Sequence, residues 1–141
     1  MTDPNAGAAS PLAVRGIVAG HGSFASGLIS VVEQITGRGA QFVPISNTGL
    51  CLEDIQGTLA RALDTTGARV VFTDLPAGSC TMAVRRMIRE RPGVVLVTGV
   101  KLSLLLDFAM QNVDDPAQAV QTALDRGRAA MVVHGAAVAG A

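Results

Sequence analysis

Two residues of this chain combine a reactive side chain with a position that could use it: His21 and Asp74. His21 follows the apolar run 14–19 and stands between two glycines, ahead of a serine. Asp74 ends a second apolar run, residues 69–74. Each run predicts a buried strand that leads through a turn into a helix. Both side chains are therefore expected at the carboxyl ends of strands.

A histidine beside a carboxylate can act as a nucleophile. The carboxylate accepts a hydrogen bond from one ring nitrogen, which fixes the tautomer and leaves a lone pair on the other. The predicted helix starts beside these residues supply backbone N–H groups that bind anions. This arrangement suits phosphoryl transfer without a metal or another cofactor. We predict His21 as the phosphorylated nucleophile, Asp74 as the residue that orients the imidazole, and four phosphate-binding residues: Gly22, Ser23, Gly78 and Ser79.

Several other polar residues have a simpler interpretation. Ser23 and Ser79 are also expected to cap their helices through their hydroxyl groups. Cys80 lies on an apolar helical stripe, which favours core packing over a role as nucleophile. His134, in a glycine- and alanine-rich tail, is expected at the surface or an interface. A solvated helix face is predicted for the arginines that follow Cys80: Arg85, Arg86, Arg89 and Arg91.

Strand-like runs alternate with helical periods along the chain. Strands are predicted at 14–19, 41–45, 69–74 and 94–98, and helices at 24–35, 52–63, 80–88, 102–110 and 116–128. This alternation predicts an α/β fold: an open, mainly parallel sheet with helices on both faces and right-handed crossovers. In a flavodoxin-like strand order, 2-1-3-4, the switch point lies between the first and third strands. His21 and Asp74 are then expected to meet there.

The composition indicates one globular domain, predicted at 12–141 after a flexible tail at 1–11. Of the 141 residues, 49% are apolar, none is Trp or Tyr, and the eleven basic residues balance the eleven acidic ones. A neutral chain of this kind argues against nucleic acid or an anionic membrane as the partner. Signal-peptide features, a spanning apolar run and a disulfide framework are all missing from the sequence, which predicts a cytoplasmic protein without membrane insertion.

The segments around the two candidate residues resemble a known family, the IIA domain of the mannose-type sugar phosphotransferase system (PTS), whose branches handle mannose, fructose, sorbose and N-acetylgalactosamine. Residues 20–25 are similar to the Gly-His-Gly-x-Phe/Trp-Ala segment that carries the family's phosphorylated histidine. Residues 73–79 are similar to its Asp-ended strand and following glycine turn, and 97–105 to a third family segment. The resemblance runs from about 14 to 128.

The resemblance implies a phosphotransferase component, a cytoplasmic phosphohistidine carrier that serves sugar uptake and phosphorylation. The Nε2 atom of His21 would accept phosphate from the phosphocarrier HPr while Asp74 holds Nδ1. The phosphate would pass to a IIB component, and through it to the membrane components IIC and IID. The resemblance also implies a homodimer with an exchanged C-terminal antiparallel strand, for which Met131-Val132-Val133 in the tail 129–141 is the candidate.

Other functions stay open at this level. The chain could be a regulatory module of an incomplete phosphotransferase system, or a non-catalytic module that binds a phosphorylated ligand. It could also be a small hydrolase with Ser79 or Cys80 as nucleophile, His21 as base and Asp74 as orienter. The chain lacks the G-x-S-x-G elbow of many such hydrolases. The sequence does not name the sugar.

Overall fold

Strands and helices alternate through residues 13–135, the part of the chain that the computed structural model describes. The predicted tail at 1–11 lies outside this range, and the single-domain interpretation of 12–141 stays a prediction. Two short 3-10 turns, Gly39–Gln41 and Ile88–Glu90, connect elements. The main elements are β1 Gly16–Gly20, α1 Phe24–Thr36, β2 Phe42–Ser46, α2 Leu52–Thr66, β3 Val70–Thr73, α3 Ser79–Met87, β4 Val95–Val97, α4 Leu102–Met110 and α5 Pro116–Ala129.

The four strands form one parallel sheet in the order β2-β1-β3-β4, so the predicted topology is confirmed. The register decides where the connecting loops begin. Ala19 of β1 pairs with Thr73 of β3, and Gly20 pairs with Ser46 of β2. The chain therefore leaves these three neighbouring strands at the same edge, with His21, Asp74 and Asn47 as the next residues.

Helices cover both faces of the sheet. Helices α1, α4 and α5 pack against one face, where Val18 and Phe72 lie, and α2 and α3 pack against the other, where Ile17 and Val71 lie. All five residues of β1 are buried. A central parallel strand buried on both sides is apolar throughout, which is why the run ahead of His21 is so hydrophobic.

The ends of some elements differ from the predictions. Helix α3 begins at Ser79 and gives way to a 3-10 turn at Ile88, because the chain must turn before Pro92 and Gly93. Strand β4 keeps only Val95–Val97 of the predicted 94–98. The other elements agree within three residues. No helix in the range 13–135 is long and apolar enough to span a membrane.

The C-terminal segment forms neither a strand nor a continued helix in the range that is described. Helix α5 ends at Ala129, and residues 131–135 have no regular structure. Met131, Val132 and Val133 are 71%, 64% and 76% exposed, and His134 is exposed as predicted. Residues 136–141 lie outside the described residues, so the exchanged strand and the homodimer stay predictions.

Candidate active site

His21 and Asp74 meet at the carboxyl edge of the sheet. The imidazole Nδ1 of His21 lies 2.7 Å from Oδ2 of Asp74, and the backbone N–H of His21 donates to the same oxygen at 2.9 Å. The His21 side chain is 55% exposed, whereas that of Asp74 is 11% exposed. The carboxylate thus contacts both the backbone and the ring of His21, and the Nε2 side of the ring is directed away from it.

Gly20 makes room for this contact. A Cβ atom at Gly20 would lie 2.8 Å from Cδ1 of Phe24 and 3.0 Å from both Cγ and Oδ2 of Asp74. Real Cβ atoms essentially never lie closer than 3.0 Å to another heavy atom, so a larger residue would displace the ring of Phe24 and press against the carboxylate of Asp74. The glycine ahead of the histidine is therefore required by the close approach of Phe24 and Asp74, not by an unusual backbone angle.

Replacing Gly20 by alanine is expected to weaken the His21–Asp74 contact and to lower the free energy of unfolding by about 1–3 kcal/mol. The matched control is Gly27→Ala in α1, where a Cβ meets nothing within 4 Å. In a helix interior that change is expected to stabilise the fold by about 0.5–1 kcal/mol. Urea unfolding of both variants checks this. Equal stability of the two variants would contradict the packing argument.

The electrostatics of the pair keep Asp74 ionised. Burial raises the pKa of Asp74, but the hydrogen bonds from the ring and the backbone N–H of His21, with the histidine's charge, outweigh it and leave that pKa below its ordinary value. An ionised carboxylate only accepts hydrogen bonds. Nδ1 of His21 must therefore carry the proton that Asp74 accepts, and Nε2 has the free lone pair in the neutral ring.

The turn between β3 and α3 faces the imidazole. Gly78 has φ +147°, and a Cβ added to it would lie 3.7 Å from Cε1 of His21. Two buried threonines fix this turn: the Thr73 and Thr81 hydroxyls lie 2.6 Å apart, and the Thr81 hydroxyl donates to the carbonyl of Leu75 at 2.5 Å. Thr73 consequently donates to Thr81. These bonds tie the start of α3 to the end of β3 beside the histidine.

Free backbone donors lie at the start of α3. Its first helical hydrogen bond runs from the Met82 N–H to the Gly78 carbonyl at 2.9 Å. The N–H groups of Ser79, Cys80 and Thr81 therefore have no partner within the helix, and they add to the partial positive charge of its N-terminus. At the start of α1, by contrast, the Phe24 N–H already donates to the His21 carbonyl at 3.0 Å.

The predicted capping role of the two serines is wrong. Ser23 occupies the N-cap position of α1, but its side chain makes no capping hydrogen bond. Ser79 is the first residue inside α3, and Gly78 takes the N-cap position because the turn needs the φ value of Gly78. The Ser79 hydroxyl instead accepts a hydrogen bond from the Asn47 side-chain amide at 2.8 Å. Its own proton is left to donate.

Asn47 is the residue that sequence reasoning missed. It follows β2, and its backbone N–H donates to the carbonyl of Gly20 at 3.1 Å while its side chain reaches Ser79. One residue thereby links the three strand ends around His21. The predicted strand order places the end of β2 beside the end of β1, and so locates the segment 46–49 near His21. It does not single out Asn47, because that segment contains several polar residues that are common in loops.

Cys80 is a poor nucleophile in this fold. It is 1% exposed, and burial, followed by the negative charge of Asp74, raises the pKa of its thiol to about 11. The prediction that it packs in the core is confirmed. The polar contact of the His21 ring within residues 13–135 is to Asp74, and that of the Ser79 hydroxyl is to Asn47. A serine or cysteine hydrolase would need one of these nucleophiles bonded to the histidine, so the geometry disfavours a hydrolase.

Comparisons with known proteins identify the family of the chain. A family model, EIIA-man, described as "PTS system fructose IIA component", matches residues 16–124. The chain belongs to this family. The matched range contains His21, Asp74 and both helix starts, so the resemblance inferred from the sequence is confirmed. No curated protein matches the chain.

Solved IIA structures have the same α/β fold as this family member. The mannose/sorbose-specific IIA subunit of Enterococcus faecalis is 19% identical with a TM-score of 0.74, covering 88% of this chain and 96% of that one. EIIA from Streptococcus agalactiae is 26% identical with a TM-score of 0.68, covering 80% and 93%. The IIA protein associated with the fucose utilization operon of Streptococcus pneumoniae is 22% identical with a TM-score of 0.67, covering 79% and 88%.

Proposed function

We propose that this IIA protein is a phosphohistidine carrier, which accepts a phosphoryl group on Nε2 of His21 and passes it to a IIB component. The observation that carries the proposal is the 2.7 Å contact between Nδ1 of His21 and Oδ2 of Asp74. It leaves Nε2 as the ring nitrogen that can attack. The 55% exposure of the side chain gives a partner protein access to it.

The transfer step is a displacement at phosphorus in which His21 is the nucleophile and Asp74 stabilises the charge that develops. The Nε2 lone pair of His21 attacks the phosphorus of the donor's phosphohistidine, and the N–P bond of the donor breaks with its electron pair returning to the donor's imidazole. Positive charge develops on the His21 ring as the new N–P bond forms. Asp74, ionised and already bonded to Nδ1–H, stabilises that charge in place, since its orientation does not have to change during the reaction.

The negative charge of the transferred group is met by donors at the start of α3. The backbone N–H groups of Ser79, Cys80 and Thr81 have no helical partner, and the Ser79 hydroxyl has a proton to donate. Gly78 allows this turn to lie against the ring without a side chain. Gly22 and Ser23, at the start of α1, stay proposed as further phosphate-binding residues.

The proposed partners come from membership of the IIA family. The donor is the phosphocarrier HPr, the acceptor is a IIB component, and the membrane components IIC and IID act after it. The cytoplasmic location stays a prediction. A regulatory role in an incomplete system uses the same phosphorylation of His21 and differs only in the fate of the phosphoryl group.

Phosphoryl transfer in a reconstituted system tests the proposal. The wild-type chain is incubated with phosphoenolpyruvate, enzyme I and HPr, and we expect acid-labile, base-stable label on the chain, as phosphoramidates give. Adding the IIB component is expected to remove that label. Label that no IIB component removes would favour the regulatory role. An unlabelled chain beside a labelled HPr would contradict the proposal.

We also propose that the protein is a homodimer. The three exposed apolar side chains Met131, Val132 and Val133 follow α5 without a covering element in residues 13–135. Exposed apolar clusters of this kind are typical of interfaces. Light scattering at micromolar concentration is expected to give twice the mass of the chain, and replacing all three residues by serine is expected to give the monomer mass. A monomeric wild-type protein would refute the dimer.

A further inference from the structure

Three arginines stand at the amino edge of the sheet, where the strands begin. Arg15 immediately precedes β1 and Arg69 immediately precedes β3, and because these strands are paired in parallel the two arginines enter the sheet side by side. Arg38 precedes the 3-10 turn that leads into β2. At about 3.3 Å per residue, the chain from Arg15 to His21 spans about 20 Å. This edge is therefore separate from the candidate active site.

Two adjoining cavities lie between these arginines and the segment that connects α4 to α5. One has a volume of about 130 Å³ and is lined by Arg15 and Arg69, and the other has a volume of about 270 Å³ and is lined by Arg15 and Arg38. Asp114 lines both cavities and is the acidic residue of either lining. Among residues 13–135, none of the three arginines has a carboxylate within ion-pair distance. A neutral chain thus has a local excess of positive charge at this edge.

The arginines of α3 and of the turn after it differ from this cluster. The solvated helix face predicted for them is confirmed for three that are exposed: Arg85, Arg86 and Arg89. Arg91 instead forms an ion pair with Asp64 at 2.6 Å. The groove between α2 and α3 is lined by as many acidic as basic residues. It therefore has no excess of positive charge.

Part of the arrangement at the amino edge serves the fold. Nη1 of Arg15 donates to the carbonyl of Phe108 at 2.9 Å, and Nη1 of Arg38 donates to the carbonyl of Ala109 at 3.4 Å. These carbonyls belong to the last turn of α4, where a positive charge is favourable. Nη1 of Arg15 also donates to Oε1 of Gln41 at 3.1 Å. Capping of α4 therefore explains where the two guanidinium groups lie, but it uses only one nitrogen of each.

The remaining N–H groups of these arginines are free to bind an anion. In the part of the chain that is described, Nε and Nη2 of Arg15 and of Arg38 make no hydrogen bond. The ring of Phe108 holds the Arg15 guanidinium in place, with Cζ 4.3 Å from the ring centroid. The donors of Arg15 are thus oriented before any ligand arrives, which lowers the entropic cost of binding.

The charges of the cluster repel one another. Burial, followed by the positive charge of Arg38, lowers the pKa of Arg15, and the negative charge of Asp114 offsets only part of that effect. The two guanidinium groups line one cavity and donate to adjacent carbonyls of α4. An anion in that cavity would be attracted by both groups and would relieve their repulsion.

We propose that Arg15, Arg38 and Arg69 form a binding site for a small phosphate-bearing anion, away from the site at which His21 acts. Three arginines against Asp114 leave an excess of two positive charges, and a phosphate monoester carries about −1.5 to −2 at pH 7. Guanidinium groups bind phosphate through paired N–H bonds. The larger cavity is slightly smaller than the roughly 300 Å³ at which ligand pockets begin. A small phosphorylated metabolite fits that space, whereas a nucleotide does not.

The experiment is an amide NMR titration of the full chain with glycerol 3-phosphate at constant ionic strength. We expect saturable shifts with a dissociation constant on the order of 1 mM, as a ligand of roughly ten non-hydrogen atoms gives. Arg38→Gln and Arg69→Gln are each expected to weaken binding by about 10-fold or more, because each removes hydrogen bonds to a charged group. The matched control is Arg128→Gln, an equal charge change at an exposed position of α5. Arg128 lies about 18 Å along the helix from Pro116, which lines the smaller cavity, so this variant is expected to bind as the wild type does.

The wild-type spectra locate the ligand without relying on any variant. The amides of residues 112–114, beside the cavities, are expected to shift, and those of residues 79–81, at the start of α3, are expected to stay in place. Shifts of 79–81 without 112–114 would place the anion at the active site and overturn the arginine site, as would equal affinities for Arg69→Gln and Arg128→Gln or a lack of saturable shifts. Succinate, titrated in the same way, is expected to bind more weakly, and tighter binding of succinate would overturn the choice of phosphate. None of these outcomes depends on whether His21 accepts a phosphoryl group, so the two proposals can fail separately.

Discussion

His21→Ala is expected to carry no phosphoryl group after incubation with phosphoenolpyruvate, enzyme I and HPr, with the label falling to background. The alanine removes the ring nitrogen that would form the N–P bond, and no other side chain around the turn replaces it. Cys80 is buried with a thiol pKa raised to about 11, and the Ser79 hydroxyl has no base bonded to it among residues 13–135. The loss is therefore expected to be complete rather than partial.

The chain supplies its own control for this prediction. It has two histidines, and the second, His134, is exposed in the segment after α5. His134→Ala is expected to accept phosphate as the wild type does. Mass spectrometry of the intact proteins at neutral pH counts the phosphoryl groups on each variant. Phosphate retained by His21→Ala, or lost in His134→Ala, would contradict the assignment of His21.

The meeting of His21 and Asp74 was predictable because strand order alone brings them together. Parallel strands with helical crossovers place their carboxyl ends at one edge, and the order 2-1-3-4 makes β1 and β3 neighbours. The register adds precision, since Ala19 opposite Thr73 puts the next residue of each strand within reach of the other. Both residues are therefore located by topology, before any side-chain detail is known.

The parts that could not be predicted depend on loop geometry. Asn47 bonds to Ser79 across two strand ends, and such a contact between loops leaves no periodic signal in either segment. The capping prediction for Ser79 failed for the same reason. Whether a serine stands at the N-cap or one residue later depends on the φ of the glycine before it, and Gly78 at +147° shifts α3 by one position.

Gly20 shows how a sequence signal can have a different cause from the one it suggests. Glycines on both sides of a histidine indicate a tight turn, and Gly22, with φ +53°, agrees with that expectation. Gly20 has no such angle and is the last residue of β1. It is glycine because the ring of Phe24 and the carboxylate of Asp74 together occupy the space where a Cβ would lie. The contact between His21 and Asp74 and the absence of a side chain at position 20 thus depend on each other.

Asp74→Asn is expected to slow phosphoryl transfer to His21 without abolishing it. The asparagine keeps the shape of the side chain, but its amide can donate to Nδ1 instead of accepting from it, so the ring can be held in the tautomer whose proton is on Nε2. The variant also loses the negative charge that stabilises the ring during attack. In the serine-protease triad the corresponding change costs about 10⁴ in rate, and because a phosphohistidine donor is already activated we expect a loss on the order of 10–10³ here.

Two measurements separate this role from a merely structural one. Rapid-quench kinetics with phosphorylated HPr give the rate, and ¹⁵N NMR of the imidazole gives the tautomer, which should change from Nδ1–H in the wild type to a mixture in the variant. The control is Asp64→Asn, the same chemical change at an exposed ion pair with Arg91, where surface pairs contribute only about 0–1 kcal/mol. The pKa of Asp74 lies below its ordinary value, so the wild-type carboxylate is ionised and accepts hydrogen bonds at every pH above about 5. A rate difference measured in that pH range therefore reflects the lost acceptor and not titration of Asp74. If Asp74→Asn transfers phosphate at the rate of Asp64→Asn with the Nδ1–H tautomer intact, then the contact at 2.7 Å holds the fold of the turn and does not tune the nucleophile.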